Sequence, residues 1–512
     1  MILRPAHRQR LSHAPCDWDT NLGVRPARLA PVLAARGPTL ALYALLLAGI
    51  ALRVLAAASW WPVVPTLDDA YSDHTGRDAF SDPLHPAGYG LILGALGTLT
   101  REPAVHIMLQ HLLGVASALL LYYATRRVTR SGWAGLLPAA FLLLSPDQIF
   151  LEHAILSESW AVFAMSVGLA GVVWAFDDGS AGWQWAGAAG AALAVSATIR
   201  SAGTVLIPVA VLVLAVQPPG RLSNWRARWR APLAAALGAG LILLAYATAN
   251  SAYGSRFGIT PSPGWYLYGR VAQFADCKQF TPPPGTRVLC DRRPPGRRPG
   301  SFTYLFNETS PAPRHFGPVG QNDALVGAWA RRALVAQPVG MLKTTWEHLR
   351  LYWIPGWRPR RLGEATDLDP GLDFAHNSIF RPAIEARLRR FFGEFGITEW
   401  RTGLRVLSSA RRVVRFGSTA LSIATLLVLL GLLLGSRRSR TAVLLFGVGG
   451  LALIVAPSLS VDYSWRYAVP AAGPLSVAAA ITLTELARRV SGRRTASASA
   501  EGREPRTAEV PG

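Results

Sequence analysis

The 512-residue sequence is poor in charge and almost devoid of lysine. Only 16% of its residues are charged, 51% are hydrophobic and the mean hydropathy is +0.25, a balance that excludes an ordinary soluble protein. Of 52 basic residues only Lys278 and Lys343 are lysine. A GC-rich genome produces that bias, but it also builds every positive cluster from arginine, which binds phosphate in bidentate fashion wherever it faces a headgroup. There is no Walker-type loop, no Cys-x-x-Cys pair and no dinucleotide fingerprint with the right flanks, which argues against soluble nucleotide chemistry. Three cysteines are too few for a disulfide framework. The net charge of +22 is not a nucleic-acid signature, because the arginines sit in loops between apolar runs and not along one soluble face.

What the chain has in abundance is long apolar runs. Ten stand out: 40–58, 105–124, 133–144, 160–176, 185–197, 204–216, 232–249, 421–434, 442–456 and 468–487. They predict an all-α polytopic membrane protein with about ten transmembrane helices. Arg4, Arg8, Arg10, Arg25, Arg28 and Arg36 precede the first run and place residues 1–37 inside as a cytoplasmic tail. That run starts too late for a cleavable signal. Arg126, Arg127 and Arg130, then Arg221 to Arg230, then Arg437 to Arg440 mark further inner loops. The reading therefore divides the chain into an N-terminal membrane module (38–249), an extracytoplasmic mixed domain (250–418), C-terminal membrane helices (419–487) and a disordered cytoplasmic tail (488–512). Both termini lie in the cytoplasm and the membrane is the plasma membrane.

The basic run Arg401, Arg405, Arg411, Arg412 and Arg415 falls on the outer side in this scheme, where long loops escape the charge rule. Within 250–418, Cys277 and Cys290 are thirteen positions apart in a Pro-rich stretch and are expected to be bridged, whereas Cys16 is expected to be free. Residues 325–357 have helical apolar spacing with aromatics, which suggests helices lying on the domain or on the bilayer.

The outer loop 59–104 carries the densest chemistry. Between Pro65 and Tyr89 it holds five aspartates, two histidines and a Pro-Ala-Gly turn. Carboxylates beside hydrocarbon need a partner, a solvated cavity or a task. Asp68 and Asp69 are the first pair after the span; neighbours on a helix point about 100° apart, so one faces a substrate while the other binds a metal or caps a helix. Asp69, Asp73 and Arg77, at i, i+4 spacing, could equally form a solvated ion-pair face. His85 lies in a Pro-flanked turn. Glu158 stands at the outer mouth of an apolar run and must face protein. Glu152 and His153 are accounted for by a turn at headgroup level. Arg200 and Arg466 each interrupt apolar runs near the outer surface, either to grip a phosphate or to reach the headgroups. Asn307-Glu308-Thr309 matches a glycosylation sequon, a pattern common by chance.

Four places together resemble the GT-C glycosyltransferases, in particular the protein O-mannosyltransferase and aminoarabinose transferase branch. They are Asp68-Asp69 after the first span, Pro83-Leu84-His85-Pro86-Ala87-Gly88-Tyr89, the segment from Leu144-Ser145-Pro146 to Leu156-Ser157-Glu158, and Arg466-Tyr467-Ala468-Val469-Pro470. Trp265 to Arg270 and the two cysteines look more like an actinobacterial branch. The resemblance implies an inverting hexosyl- or pentosyltransferase that moves a mannose- or arabinose-like sugar from a polyprenyl-phosphate donor to an extracytoplasmic acceptor (glycan, protein or lipid).

In that chemistry Asp68 or Asp69 is the base, and Arg200 and Arg466 hold the donor phosphate. His85 and Glu158 contact substrate or, with Asp69, a divalent Mg or Mn ion. The partners are this lipid-linked sugar, the acceptor and membrane lipids, and not nucleic acid. Asp-Asp replaces the Asp-Glu usual in the mannosyltransferases, which leaves the sugar open. A transporter or lipid flippase using the same carboxylates is the alternative; against it stand the one-sided acidic cluster and the lack of inverted repeats.

Overall fold

The computed structural model describes residues 29–66, 69–177, 182–216, 225–254, 256–356 and 381–501. All ten predicted apolar runs are helical: α1 (Leu29–Ser59), α3 (Pro103–Thr129), α4 (Gly132–Leu144), α6 (Glu158–Asp177), α7 (Gly182–Ile199), α8 (Leu206–Val216), α9 (Trp225–Tyr253), α17 (Ser418–Leu434), α19 (Gly449–Ser460) and α20 (Val469–Glu501). Between them lie α2 (Gly88–Gly97), α5 (Pro146–Glu152), α10 (Pro263–Ala272), α11 (Ser301–Phe306), α12 (Pro311–Phe316), α13 (Asp323–Ala336), α14 (Pro338–Trp353), α15 (Arg381–Phe392), α16 (Arg401–Val413) and α18 (Arg437–Val443).

Among the described residues seven helices are long and apolar enough to cross a membrane, eight if the bent pair α4–α5 is one span, against the ten expected. This is a multi-pass membrane protein. The shortfall has a physical cause in each case. Helix α4 turns through 56° at Ser145-Pro146, where proline breaks the ladder. Helix α7 opens with Gly-Trp-Gln-Trp and is rich in Ala and Gly. Helix α8 has only 11 residues behind a 3-10 turn at Ser201–Val205.

Small residues set the membrane packing. Helices α7 and α9 approach so closely that a Cβ on Gly190 would lie 2.0 Å from the Ala235 carbonyl oxygen, and one on Gly238 2.2 Å from that of Gly187. In lipid, where burial of apolar surface gives no driving force between helices, such close backbone contact is what joins them. One continuous core runs through α1, α3, α4, α6, α7, α17, α19 and α20.

The segment between α9 and α17 was expected to be a mixed domain. Its described part is helical; the sole sheet among the described residues is a two-residue pairing of Trp60–Trp61 with Thr398–Glu399. Its prolines initiate helices, as at Pro263, Pro311 and Pro338, where the missing N–H is no loss. It has its own core around Trp265, Tyr268, Tyr304 and Trp329, and Cys277 and Cys290, bonded to each other, pack at its edge. Residues 488–501, expected to lie in a disordered tail, continue α20. Cys16 lies outside the described residues.

Candidate active site

Glu158 opens α6, where its carboxylate also meets the positive end of the helix. The side chain is wholly buried. Two guanidinium groups converge on it: Arg200 donates to Oε1 at 2.7 Å, and Arg466 hydrogen-bonds the same oxygen. Arg200 stands at the break between α7 and α8, and Arg466 in the turn (Trp465–Tyr467) before α20, 266 positions later (466 − 200). Arg200 also donates to Ser157 Oγ at 3.4 Å and lies over the Tyr467 ring at 5.3 Å.

The loop between α1 and α2 folds over this cluster. Tyr71 Oη shares a hydrogen bond with Ser157 Oγ at 2.9 Å. Burial pushes its hydroxyl far above the usual tyrosine range, so it stays neutral. Tyr71 packs on the His85 ring at 4.1 Å and edge-on against Tyr89 at 4.9 Å. His85 in turn bonds Asp82, whose carboxylate also accepts from the Leu84 and His85 amides. Burial alone would raise Asp82; these donors outweigh it and pull the group below the ordinary carboxylate range. The Pro83 to Gly88 turn is fixed from outside by Ser262, Tyr266 and Tyr246, which bond Pro83 O, Leu84 O and the Ala87 amide.

Of the residues singled out from sequence, Glu158, Arg200 and Arg466 meet directly, and His85 joins them through Tyr71. Asp68 lies outside the described residues. Asp69 begins the short 3-10 helix that contains Tyr71, so its Cα lies within about 7 Å of Tyr71's. Asp73 turns away to pair with Arg387 and Arg390 of α15, not with Arg77. Of the metal ligands suggested, Glu158 is engaged by two arginines and His85 by Asp82, and among the described residues no three such ligands converge.

Sequence reading missed a second buried network. Glu152 and His153, assigned to a headgroup turn, are fully buried. Arg53 of α1 makes a bidentate pair with Glu152 at 2.8 and 2.9 Å, and Gln148 and His111 bond the same carboxylate. His111 also bonds His153, whose Nε2 reaches the Trp60 carbonyl at 2.6 Å. Gly114 makes room for the group: a Cβ there would lie 1.9 Å from Glu152 Oε1. The Val64 amide bonds His153 O, so this network ties the start of the first loop to the strand of chain that leads to Ser157 and Glu158. The signal for it was Arg53, a lone charge inside an apolar run, which needs a partner.

The turn that carries Arg466 is fixed by a third cluster. Tyr352 Oη donates to Ser464 O and accepts from Ser464 N. Asp462 accepts from the amides of Tyr463 and of Ser301, at the start of α11, and lies 3.3 Å from His348 Nε2. Arg270 donates to His348 Nδ1 at 3.2 Å. Burial and Arg270 push His348 well below the usual histidine range, so the ring is neutral, with Nδ1 accepting and Nε2–H facing Asp462.

Residues 107–230 match the family model of dolichyl-phosphate-mannose-protein mannosyltransferase. No curated protein matches the chain. Among solved structures, it is similar to the Archaeoglobus fulgidus oligosaccharyltransferase AglB in complex with an inhibitory peptide and a dolichol-phosphate. Identity is 14%, covering 91% of this chain and 52% of that one, with a TM-score of 0.39. The apo form of the Archaeoglobus fulgidus enzyme gives 13%, 92%, 52% and 0.40, and its complex with Zn and sulfate 12%, 88%, 50% and 0.39. The chain spans about half the length of these structures.

Proposed function

On the premise of a mannosyltransferase-family segment at 107–230, which contains both Glu158 and Arg200, we propose that this membrane protein is a glycosyltransferase. It moves a mannose- or arabinose-like sugar from a polyprenyl phosphate to an acceptor outside the cytoplasm. The observation that carries the reading is the meeting of Arg200 and Arg466 at Glu158 beneath the acidic first loop.

In the reaction the acceptor hydroxyl attacks the anomeric carbon, the bond from that carbon to the phosphate oxygen breaks, and polyprenyl phosphate leaves with an added negative charge. Asp68 or Asp69 takes the hydroxyl proton. Attack on the face opposite the phosphate inverts the anomeric centre. Arg200 and Arg466, oriented by Glu158 before substrate arrives, bring the positive charge that meets the departing phosphate. A narrow apolar cleft beside Arg200, lined by Val162, Met165, Leu453, Pro457 and Pro470, suits the first carbons of the prenyl chain. Tyr71 and His85 wall the sugar side. Should Mg or Mn take part, Asp68 and Asp69 are the carboxylates left to hold it, and it would supply further neutralisation of phosphate charge.

The module 250–418 lies outside, at the plasma membrane, with both termini in the cytoplasm. The test is transfer of radiolabel from polyprenyl-phosphate mannose or arabinose to a cell-envelope extract, in membranes carrying the parent, Asp68→Asn or Asp69→Asn at equal protein level. Label reaching an acceptor in the parent and lost in one variant supports the reading and identifies the base. A broad panel of lipid-linked sugars left intact, with ion or lipid flux that depends on the same aspartates, overturns it.

A further inference from the structure

Helix α14 has two faces of opposite character. Thr345, His348, Leu351 and Tyr352 are buried against the rest of the protein. On the other side Val339, Leu342 and Trp346 are between 57% and 72% exposed, and they share a helical face with Trp353 at spacings of three, four and seven. The stripe is rigidly mounted. Gln337, just ahead of the helix, bonds both backbone groups of Asp276, and Gly340 packs on the Phe274 ring. Among the described residues no protein element covers it.

The lower end of this face shows where it leads. Trp353 Nε1 donates to Thr425 Oγ1 at 2.9 Å, and Ser422 Oγ donates to the Trp353 carbonyl at 2.8 Å. Ser422 and Thr425 belong to the first two turns of the spanning helix α17, whose Ile423, Leu426, Leu429 and Leu433 are exposed towards lipid. From that contact the stripe extends back about 21 Å to Val339. Lys343 is exposed beside it, and the Arg350 guanidinium lies 5.4 Å over the Trp346 ring, so cations flank the apolar residues. An apolar stripe with an amphipathic aromatic and flanking cations, continuous with a spanning helix, matches a membrane–water interface and its anionic headgroups.

We propose that α14 is an interfacial helix whose Val339–Leu342–Trp346 face is seated in the bilayer at the end where α17 enters it. The inference stands whether or not the chain transfers a sugar. Its occupant is lipid, with a second protein surface as the competing outcome.

The test uses the full-length protein in nanodiscs of phosphatidylethanolamine and phosphatidylglycerol, with Cys16→Ser removing the thiol outside the disulfide. Nitroxide labels are placed singly through Leu342→Cys and Val339→Cys, with Leu433→Cys on α17 as the lipid reference and Glu308→Cys as the aqueous one. All four positions are exposed, so the substitutions leave the core intact. Collision with oxygen should exceed collision with a water-soluble nickel chelate at 339 and 342, as at 433, with the ratio reversed at 308. A nickel-dominated ratio at 339 and 342 overturns the proposal, and so does shielding from both reagents, which would show a protein covering the face.

Discussion

Tyr352 binds Ser464 by both of its backbone groups, donating to the carbonyl at 2.7 Å and accepting from the amide at 3.2 Å. The ring also packs against Tyr463 and Trp465, so one side chain of α14 fixes the turn from which Arg466 projects. Tyr352→Phe keeps the ring and removes both hydrogen bonds, each worth about 1 kcal/mol. Donor KM should rise several-fold with kcat little changed, because the arginine is displaced and not removed. A donor titration checks it; an unchanged KM would separate this tyrosine from phosphate binding.

Arg200→Lys retains the charge but not the fork. A single ammonium cannot bond Glu158 and Ser157, stack on Tyr467 and still present donors to a phosphate. Transfer should fall about 10²-fold in kcat, and Arg466→Lys should behave alike. Rates equal to the parent in both variants would remove the phosphate role from this pair.

The Arg53–Glu152 pair should be structural in its effect. Glu152→Gln leaves Arg53 buried without its counter-charge, a loss of about 3–5 kcal/mol. Gly114→Ala drives a methyl group into the same carboxylate. Each should lower the thermal midpoint in detergent, and because they strike one network the double variant should lose less than the sum. Strict additivity would show that Gly114 and Glu152 act separately.

His348 gives stability a dependence on pH. In the native protein burial and Arg270 push it well below the usual value, whereas unfolded it titrates near about 6.5. As pH falls through that value the unfolded chain gains a proton that the native one refuses, so stability drops, by up to about 1.4 kcal/mol per pH unit. Asp462, which burial raises above the ordinary carboxylate range, works in the opposite sense, since the native form takes up its proton first. The difference between parent and His348→Gln isolates the histidine. Thermal midpoints from pH 7 to 5.5 should fall more steeply in the parent; parallel slopes would mean that the ring takes up its proton as readily in the native state as in the unfolded chain.

Apolar run length was enough to find the ten apolar helices, because such a run declares itself locally. Whether a helical run crosses is less local: α7 and α8 are helices, but Gln184 in one and the 3-10 turn at 201 before the other leave them short of a span. Residues 250–418 read as a mixed domain, although its described part is helical and proline starts a helix at Pro263 and Pro338. In the site, Glu158 could be found from its place at the mouth of an apolar run. Its two partners could be listed as charges near a surface, yet nothing in the sequence says that residues 200 and 466 share one oxygen. The Glu152 network was lost for the same reason: its arginine is 99 positions away.

That separation has a consequence for how the protein is made. Glu158 and Arg200 have both been synthesised by residue 200, while Arg466 follows 266 residues later. Throughout synthesis of the intervening helices, Glu158 can meet only one of its two arginine partners. If the two arginines hold the donor phosphate as proposed, a chain stopped anywhere before Arg466 would carry only one of them.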